Sequence, residues 1–156
     1  MTGYYVFGAG GIGLLIQYYL SKQVETTLIA RSHTVESLRN DYLYVSGLIE
    51  DKVRVKCLAL EDIDRIKAGD VVFVSTKVND TARALSQLKE KLDNGAVVVL
   101  CQNGIGVYEE FKPLLEGCIV LRLNCWMGVV RETANRIRLA GTFKFDLAGE
   151  EASSQV

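Results

Sequence analysis

The sequence predicts an α/β fold, a doubly wound and mostly parallel sheet with helices on both faces. Three observations carry this expectation. Short β-branched or apolar runs alternate with helix-like stretches along the chain. A glycine-rich turn, Gly8-Ala9-Gly10-Gly11-Ile12-Gly13, follows the first run and opens an apolar helix. The segment Ala96 to Cys101 is continuously apolar, as a parallel strand covered on both faces should be.

Taken in order, Tyr4 to Phe7 reads as the first strand and Gly11 to Ser21 as the first helix. Thr26 to Ala30 is a second strand and Thr34 to Asn40 a short helix, with smaller strands at Leu43 to Ser46 and Val53 to Leu58. Val71 to Ser75 is a buried strand. Asp80 to Leu92 follows as an amphipathic helix whose apolar positions Ala84, Leu85, Leu88 and Leu92 recur at helical spacing. Asp93-Asn94-Gly95 closes that helix, with Gly95 suited to a left-handed cap. A helix from Tyr108 to Leu115 leads to the run Cys118 to Leu123, and Arg136 to Ala140 with Thr142 to Leu147 alternate like antiparallel strands. Crossovers between parallel strands should be right-handed. Ligands in such sheets bind at the carboxyl ends of the strands.

Composition narrows the function classes. The chain has 156 residues, 49% of them hydrophobic, which suits one domain with a sizeable core. Its 18 basic and 19 acidic side chains lack the basic excess of a nucleic-acid binder. Charged or polar residues interrupt every apolar run before it could span a bilayer, and Met1 to Tyr5 lacks the basic start of an export signal. The expected compartment is the cytoplasm. Cys57, Cys101, Cys118 and Cys125 form no CxxC pair, and the single His33 is far from them in sequence. They read as buried, reduced, structural thiols, and no metal site is expected.

The glycine turn matches GxGxxG, weak alone but strengthened by its place between a strand and a helix, as in a Rossmann-like dinucleotide site. Gly8 would permit the tight turn, Gly10 the approach of a pyrophosphate, and Gly13 close packing of the helix on the sheet. The amides and positive dipole end of that helix would then attract phosphates. The second strand ends in Ala30-Arg31-Ser32, with Arg31 lying 18 residues past Gly13. An arginine here can pair with the 2′-phosphate of NADP, where NAD sites usually carry an acid. The alternative is a solvated surface arginine, since no second basic residue adjoins it in sequence.

Ser75-Thr76-Lys77 and Gln102-Asn103-Gly104-Ile105-Gly106 fall at carboxyl ends of expected strands, on the edge that carries the glycine turn. Lys77 could bind a phosphate, carboxylate or hydroxyl, or simply start a helix at the surface. Asn103-Gly104 could be a turn and nothing more. The Asn103 amide nonetheless has donors and acceptors for a ribose or substrate hydroxyl.

This ordered set of motifs, together with Gly128-Val129-Val130-Arg131 and Leu139-Ala140-Gly141, resembles the N-terminal half of the ketopantoate reductase (2-dehydropantoate 2-reductase) family. The resemblance implies reduction of ketopantoate to pantoate with NADPH, in pantothenate biosynthesis. It implies a cofactor site of Gly8, Ala9, Gly10, Gly11, Ile12, Gly13, Arg31, Lys77, Asn103 and Gly128, with Asn103 also positioning substrate. It further implies residues 1–149 as the NADP-binding domain and 150–156 as the start of an interdomain linker. The helical domain that supplies the general acid in family members has no counterpart here, so no residue of this chain is assigned that role. The expected partners are a small 2-oxo acid, that helical domain and, as one open assembly, a second copy of the chain. Rival readings are a stand-alone NADP-binding or sensing module without catalysis, and a related dehydrogenase of another 2-oxo acid.

Overall fold

The computed structural model describes residues 1–141 and 144–149. Its main sheet has seven strands. They are β1 (Tyr4–Phe7), β2 (Thr26–Ile29), β5 (Lys56–Leu58), β6 (Val71–Val74), β7 (Val97–Leu100), β8 (Ile119–Trp126) and β11 (Lys144–Ala148). The spatial order is β11-β8-β7-β6-β1-β2-β5, parallel throughout except for the β8–β11 pair. Read along the chain, the six parallel strands stand in the order 3-2-1-4-5-6, and the direction of winding reverses between β1 and β6. The doubly wound sheet expected from sequence is the fold.

Each strand divides its residues between two cores by the two-residue alternation of the pleat. Val6, Leu28, Val99 and Leu123 face a core built with Leu14 and Leu15 of α1 (Gly11–Ser21) and Leu38 of α2 (Ser32–Arg39). Ile29, Val72, Val74, Val98 and Leu100 face the other, with Leu85 and Leu88 of α3 (Val78–Lys89) and Phe111 of α4 (Val107–Phe111). Leucines this completely buried contribute about 1.5–3 kcal/mol each by leaving water.

A second, four-stranded sheet covers part of the α1 face. It comprises β3 (Leu43–Gly47), β4 (Asp51–Val53), β9 (Val129–Thr133) and β10 (Arg136–Leu139), in the order β4-β3-β10-β9. The sequence reading departs from the structure mainly here. The run Val53 to Leu58 is two strands in different sheets, Val53 pairing with Leu43 and Lys56 with Thr27. β10 is antiparallel to β9, as its alternation suggested, but parallel to β3. The 108–115 helix stops at Phe111, and a tighter 3-10 turn carries Lys112–Leu115. α3 ends at Lys89 rather than Leu92, because the chain tightens into a turn, with Lys91 bonded to Leu88 and Leu92 to Lys89, and Ile66 bridges Leu92 while Arg65 donates to the Glu90 and Leu92 carbonyls. Gly95, at φ +85°, therefore serves the turn into β7 instead of capping the helix. Thr142, Phe143 and the expected linker 150–156 lie outside the described residues.

Polar links hold the layers in register. The Gln17 amide, fully buried, donates to Thr26 Oγ1 at 2.6 Å and Ser21 Oγ at 2.9 Å, tying α1 to β2. Tyr18 donates to Asp51 Oδ2 at 2.6 Å, and Lys22 contacts the same oxygen, so α1 also grips β4. That lysine, with the tyrosine hydroxyl and the Lys52 amide, holds the Asp51 carboxyl well below the usual carboxylate range.

The tightest junction is where α1 meets the sheet. Gly8 has φ +114°, and any Cβ there would press on Ser75 and the Thr76 amide. A Cβ at Gly13 would overlap the Gly8 carbonyl oxygen and the Ser75 hydroxyl, whereas one at Gly10 would meet nothing. Gly13→Ala should therefore lower stability by about 1–3 kcal/mol or more through overpacking. Gly10→Ala, at a helix N-cap, should cost about 1 kcal/mol or less. Urea unfolding of both variants checks the contrast.

Candidate functional site

The reversal point of the sheet lies between β1 and β6, and the residues that leave those strands are bonded together. Ser75 donates its amide to the Phe7 carbonyl at 2.9 Å and its hydroxyl to the Gly8 carbonyl at 3.0 Å. Gly8 in turn donates to the Ile29 carbonyl at 3.1 Å. Three strand ends, β1, β2 and β6, are thereby fixed around one turn. Gly10 is extended (φ −75°, ψ −178°) and precedes the first bond of α1, from Leu14 N to Gly10 O at 2.9 Å. The amides of Gly11, Ile12 and Gly13 thus form a helix start with no acidic residue in the first turn. Ala9 and Ile12 pack their side chains on the core, so only their backbones face the turn. The space beside Gly10 and the unbonded amides suit an anionic pyrophosphate.

Arg31 is the residue before α2, exposed, and among the described residues its guanidinium has no hydrogen-bond or ion-pair partner. The absence of a basic neighbour in sequence is misleading in space. Arg131, from β9, donates through Nη2 to Thr34 Oγ1 at 3.3 Å, and the Thr34 amide bonds the Arg31 carbonyl at 3.0 Å. His33 is exposed on the same first turn.

Lys77 is exposed and precedes α3. Its carbonyl accepts from Thr81 Oγ1 at 2.8 Å and from the Asp80 amide at 2.9 Å. Gln102, only 5% exposed, turns inward and donates to the Thr76 carbonyl at 3.0 Å, with Thr81 Oγ1 at 3.2 Å. Gln102 is thus the residue that joins the Thr76-Lys77 turn to the end of β7. No sequence pattern distinguished it from its neighbour Asn103.

Asn103 is exposed but held. Its Nδ2 donates to the Cys125 carbonyl at 2.7 Å, and its Oδ1 accepts from the Cys125 amide at 3.0 Å. The side chain pairs with β8 as a strand backbone would. One N–H and one lone pair remain for a ligand. Gly128 follows β8 and accepts from the Ala140 amide at 2.7 Å, while Val129 sits against Gly11. The structure thus brings the start of β9 to the glycine turn.

The cysteines are all free, with Cys101 and Cys125 buried and Cys57 and Cys118 only half-buried. Burial pushes the Cys57 thiol up to about 11. The Cys101 thiol donates to the Val99 carbonyl at 3.5 Å and the Cys125 thiol to the Leu123 carbonyl at 3.7 Å, and the interaction between the two thiols raises Cys101 and lowers Cys125. An open groove of about 640 Å³ lies at the amino ends of β1, β2 and β5, beside Gly3, Tyr5, Glu25 and Lys56. It is on the opposite edge from every motif described above. Strand-end chemistry, rather than cavity size, marks the candidate site.

The family described as "Ketopantoate reductase PanE/ApbA" matches residues 4–150 of the chain. No curated protein sequence matches it. Among solved structures, a PanE/ApbA family ketopantoate reductase from Ralstonia eutropha JMP134 is similar with a TM-score of 0.83 at 22% identity, over 98% of this chain and 52% of that one. The 2-dehydropantoate 2-reductase from Methylococcus capsulatus gives 0.83 at 19%, over 96% and 49%. A D-mandelate dehydrogenase, solved with NADH and anilino(oxo)acetate, gives 0.79 at 18%, over 97% and 51%. At these identities the structures show the shared fold, and this chain spans about half the length of each. By the match from residue 4 to residue 150, which takes in the glycine turn, Thr76-Lys77 and Asn103-Gly104, the chain belongs to the ketopantoate reductase PanE/ApbA family.

Proposed function

We propose that this chain is the cofactor-binding half of a cytoplasmic, NADPH-dependent reductase that converts ketopantoate to pantoate. The observation that carries the reading is the bonding of Ser75 to Phe7 and Gly8, which gathers the glycine turn and the Thr76-Lys77 turn at the reversal point of the sheet. In this reading the pyrophosphate lies over Gly10, against the amides of Gly11, Ile12 and Gly13. Arg31 takes the 2′-phosphate, Lys77 lines the cofactor side of the cleft, and Gly128 lines it from the start of β9. Asn103, immobilised by Cys125, offers its remaining N–H and lone pair to the nicotinamide ribose and the substrate.

Bound NADPH supplies the hydride, and this chain's residues bind and orient. The proton for the developing alkoxide comes from a side chain outside these residues, in the helical domain of the whole enzyme. A second reading is favoured by the likeness to D-mandelate dehydrogenase, nearly as strong as that to the reductases. It makes the substrate a different 2-oxo acid, on the same nucleotide site.

Calorimetric titration should show NADPH binding about ten- to hundredfold more tightly than NADH, the effect of one charge-assisted contact. Arg31→Glu should abolish or reverse the preference. Equal affinities in the unmodified chain would remove the case for NADP. Gly10→Val should eliminate binding of both cofactors in a protein that still folds, since the branched side chain fills the space assigned to the pyrophosphate.

Turnover separates the catalytic readings from a binding module. With saturating ketopantoate, the 156-residue chain should oxidise NADPH about 10²–10⁴-fold more slowly than a version extended through a helical domain. Comparable rates would show that the acid lies within this chain, and Lys77 would be the first residue to change. Turnover of another 2-oxo acid by the extended version, with none of ketopantoate, would favour the second reading.

A further inference from the structure

We propose that Arg131 is a second cation of the adenosine 2′-phosphate site and shares with Arg31 the discrimination of NADPH from NADH; this rests on the NADP reading of the site. The argument starts from the pleat. In the β9–β10 pair, Val129 stands opposite Leu139 and Arg131 opposite Ile137. Leu139 and Ile137 are buried in the core shared with α1, so β9 turns Val129 and Arg131 to that same inner side. Val129 lands on Gly11 of the glycine turn. Arg131, two residues further, lands on Thr34 in the first turn of α2. One strand therefore runs from the pyrophosphate end of the proposed nucleotide site to its ribose end.

The charges at that ribose end are unbalanced. Among the described residues, neither Arg31 nor Arg131 has a carboxylate within ion-pair distance, and the first turn of α2 contains no acid. Arg131 uses Nε on the Thr133 carbonyl at 3.2 Å and Nη2 on Thr34. Its Nη1 remains for a ligand. Two exposed guanidinium groups at the positive end of a helix repel each other unless an anion lies between them. A dianionic phosphate monoester fits that place, and arginine forks match its oxygens. NADH, which carries a hydroxyl there, gains nothing from the second cation.

The test is calorimetry of the whole chain with NADPH, NADH, 2′,5′-ADP and 5′-AMP as probes. Arg131→Gln removes the charge and keeps a donor for Thr34, and Arg131→Lys keeps the charge without the fork. Arg131→Gln should weaken NADPH and 2′,5′-ADP about tenfold and leave NADH and 5′-AMP within twofold. Arg131→Lys should lie between Arg131→Gln and the unmodified chain. Equal losses for phosphorylated and unphosphorylated probes would show a structural pin between β9 and α2 and overturn the proposal. So would an unchanged NADPH-to-NADH ratio in Arg131→Gln when Arg31→Glu still destroys it, leaving the NADP reading intact. An unmodified chain that binds both cofactors equally overturns both.

Discussion

The site depends on one close approach, that of α1 to the ends of β1 and β6. There is no room for a single methyl group between Gly13, the Gly8 carbonyl and the Ser75 hydroxyl. Because the helix is this near, its first amides point into the gap left by the reversal of the sheet. Because Ser75 bonds both Phe7 and Gly8, the turn after β6 moves with the turn after β1. Moving α1 outward by the width of a methyl would separate the amides from the groups they act with. The open side at Gly10 has chemical meaning only because the opposite side is closed.

Around this junction the other groups are positioned at second hand. Gln102 holds the carbonyl of Thr76 rather than facing solvent, and Asn103 spends half of its amide on Cys125. An asparagine on a free loop would lose rotamer freedom on meeting a ligand. Here that ordering is done in folding, by β8. The Gln17 and Asp51 links act likewise on the far side of α1, fixing the helix against β2 and β4.

Much of this was legible because the signals are local. A strand, a glycine turn and a helix follow one another within twenty-one residues, and the β7 run is apolar enough to declare itself. The second sheet was not legible, because its pairings are not local. Val53 and Lys56 are three residues apart yet bond to different sheets, a choice made by Leu43 and Thr27 rather than by their own neighbours. Val129 to Thr133 is mostly exposed, so its pattern carried no apolar stripe to find. Arg31 was visible as a strand-end arginine. Arg131 was not visible as its companion, since the contact spans Thr34 to Arg131 and exists only once β9 is laid beside β10.

That second sheet has a bearing on how the chain is made. β3 pairs in parallel with β10, Tyr44 with Arg136 and Gly47 with Leu139, so the partner arrives some ninety residues later in synthesis. Contacts of such separation are slow to form, because a long loop must close before they return any energy. As the chain emerges, β1, α1, β2 and the glycine turn have their local partners early. Leu43 and Val45, both buried in the finished fold, wait with the β3–β4 hairpin for a cover that is not yet built. During that interval the hairpin shows an unpaired edge, the kind of surface through which chains misassociate. Its edge is closed by the same hairpin that carries Val129 and Arg131, so the piece that covers β3 is also the one that reaches the glycine turn at Gly11 and α2 at Thr34.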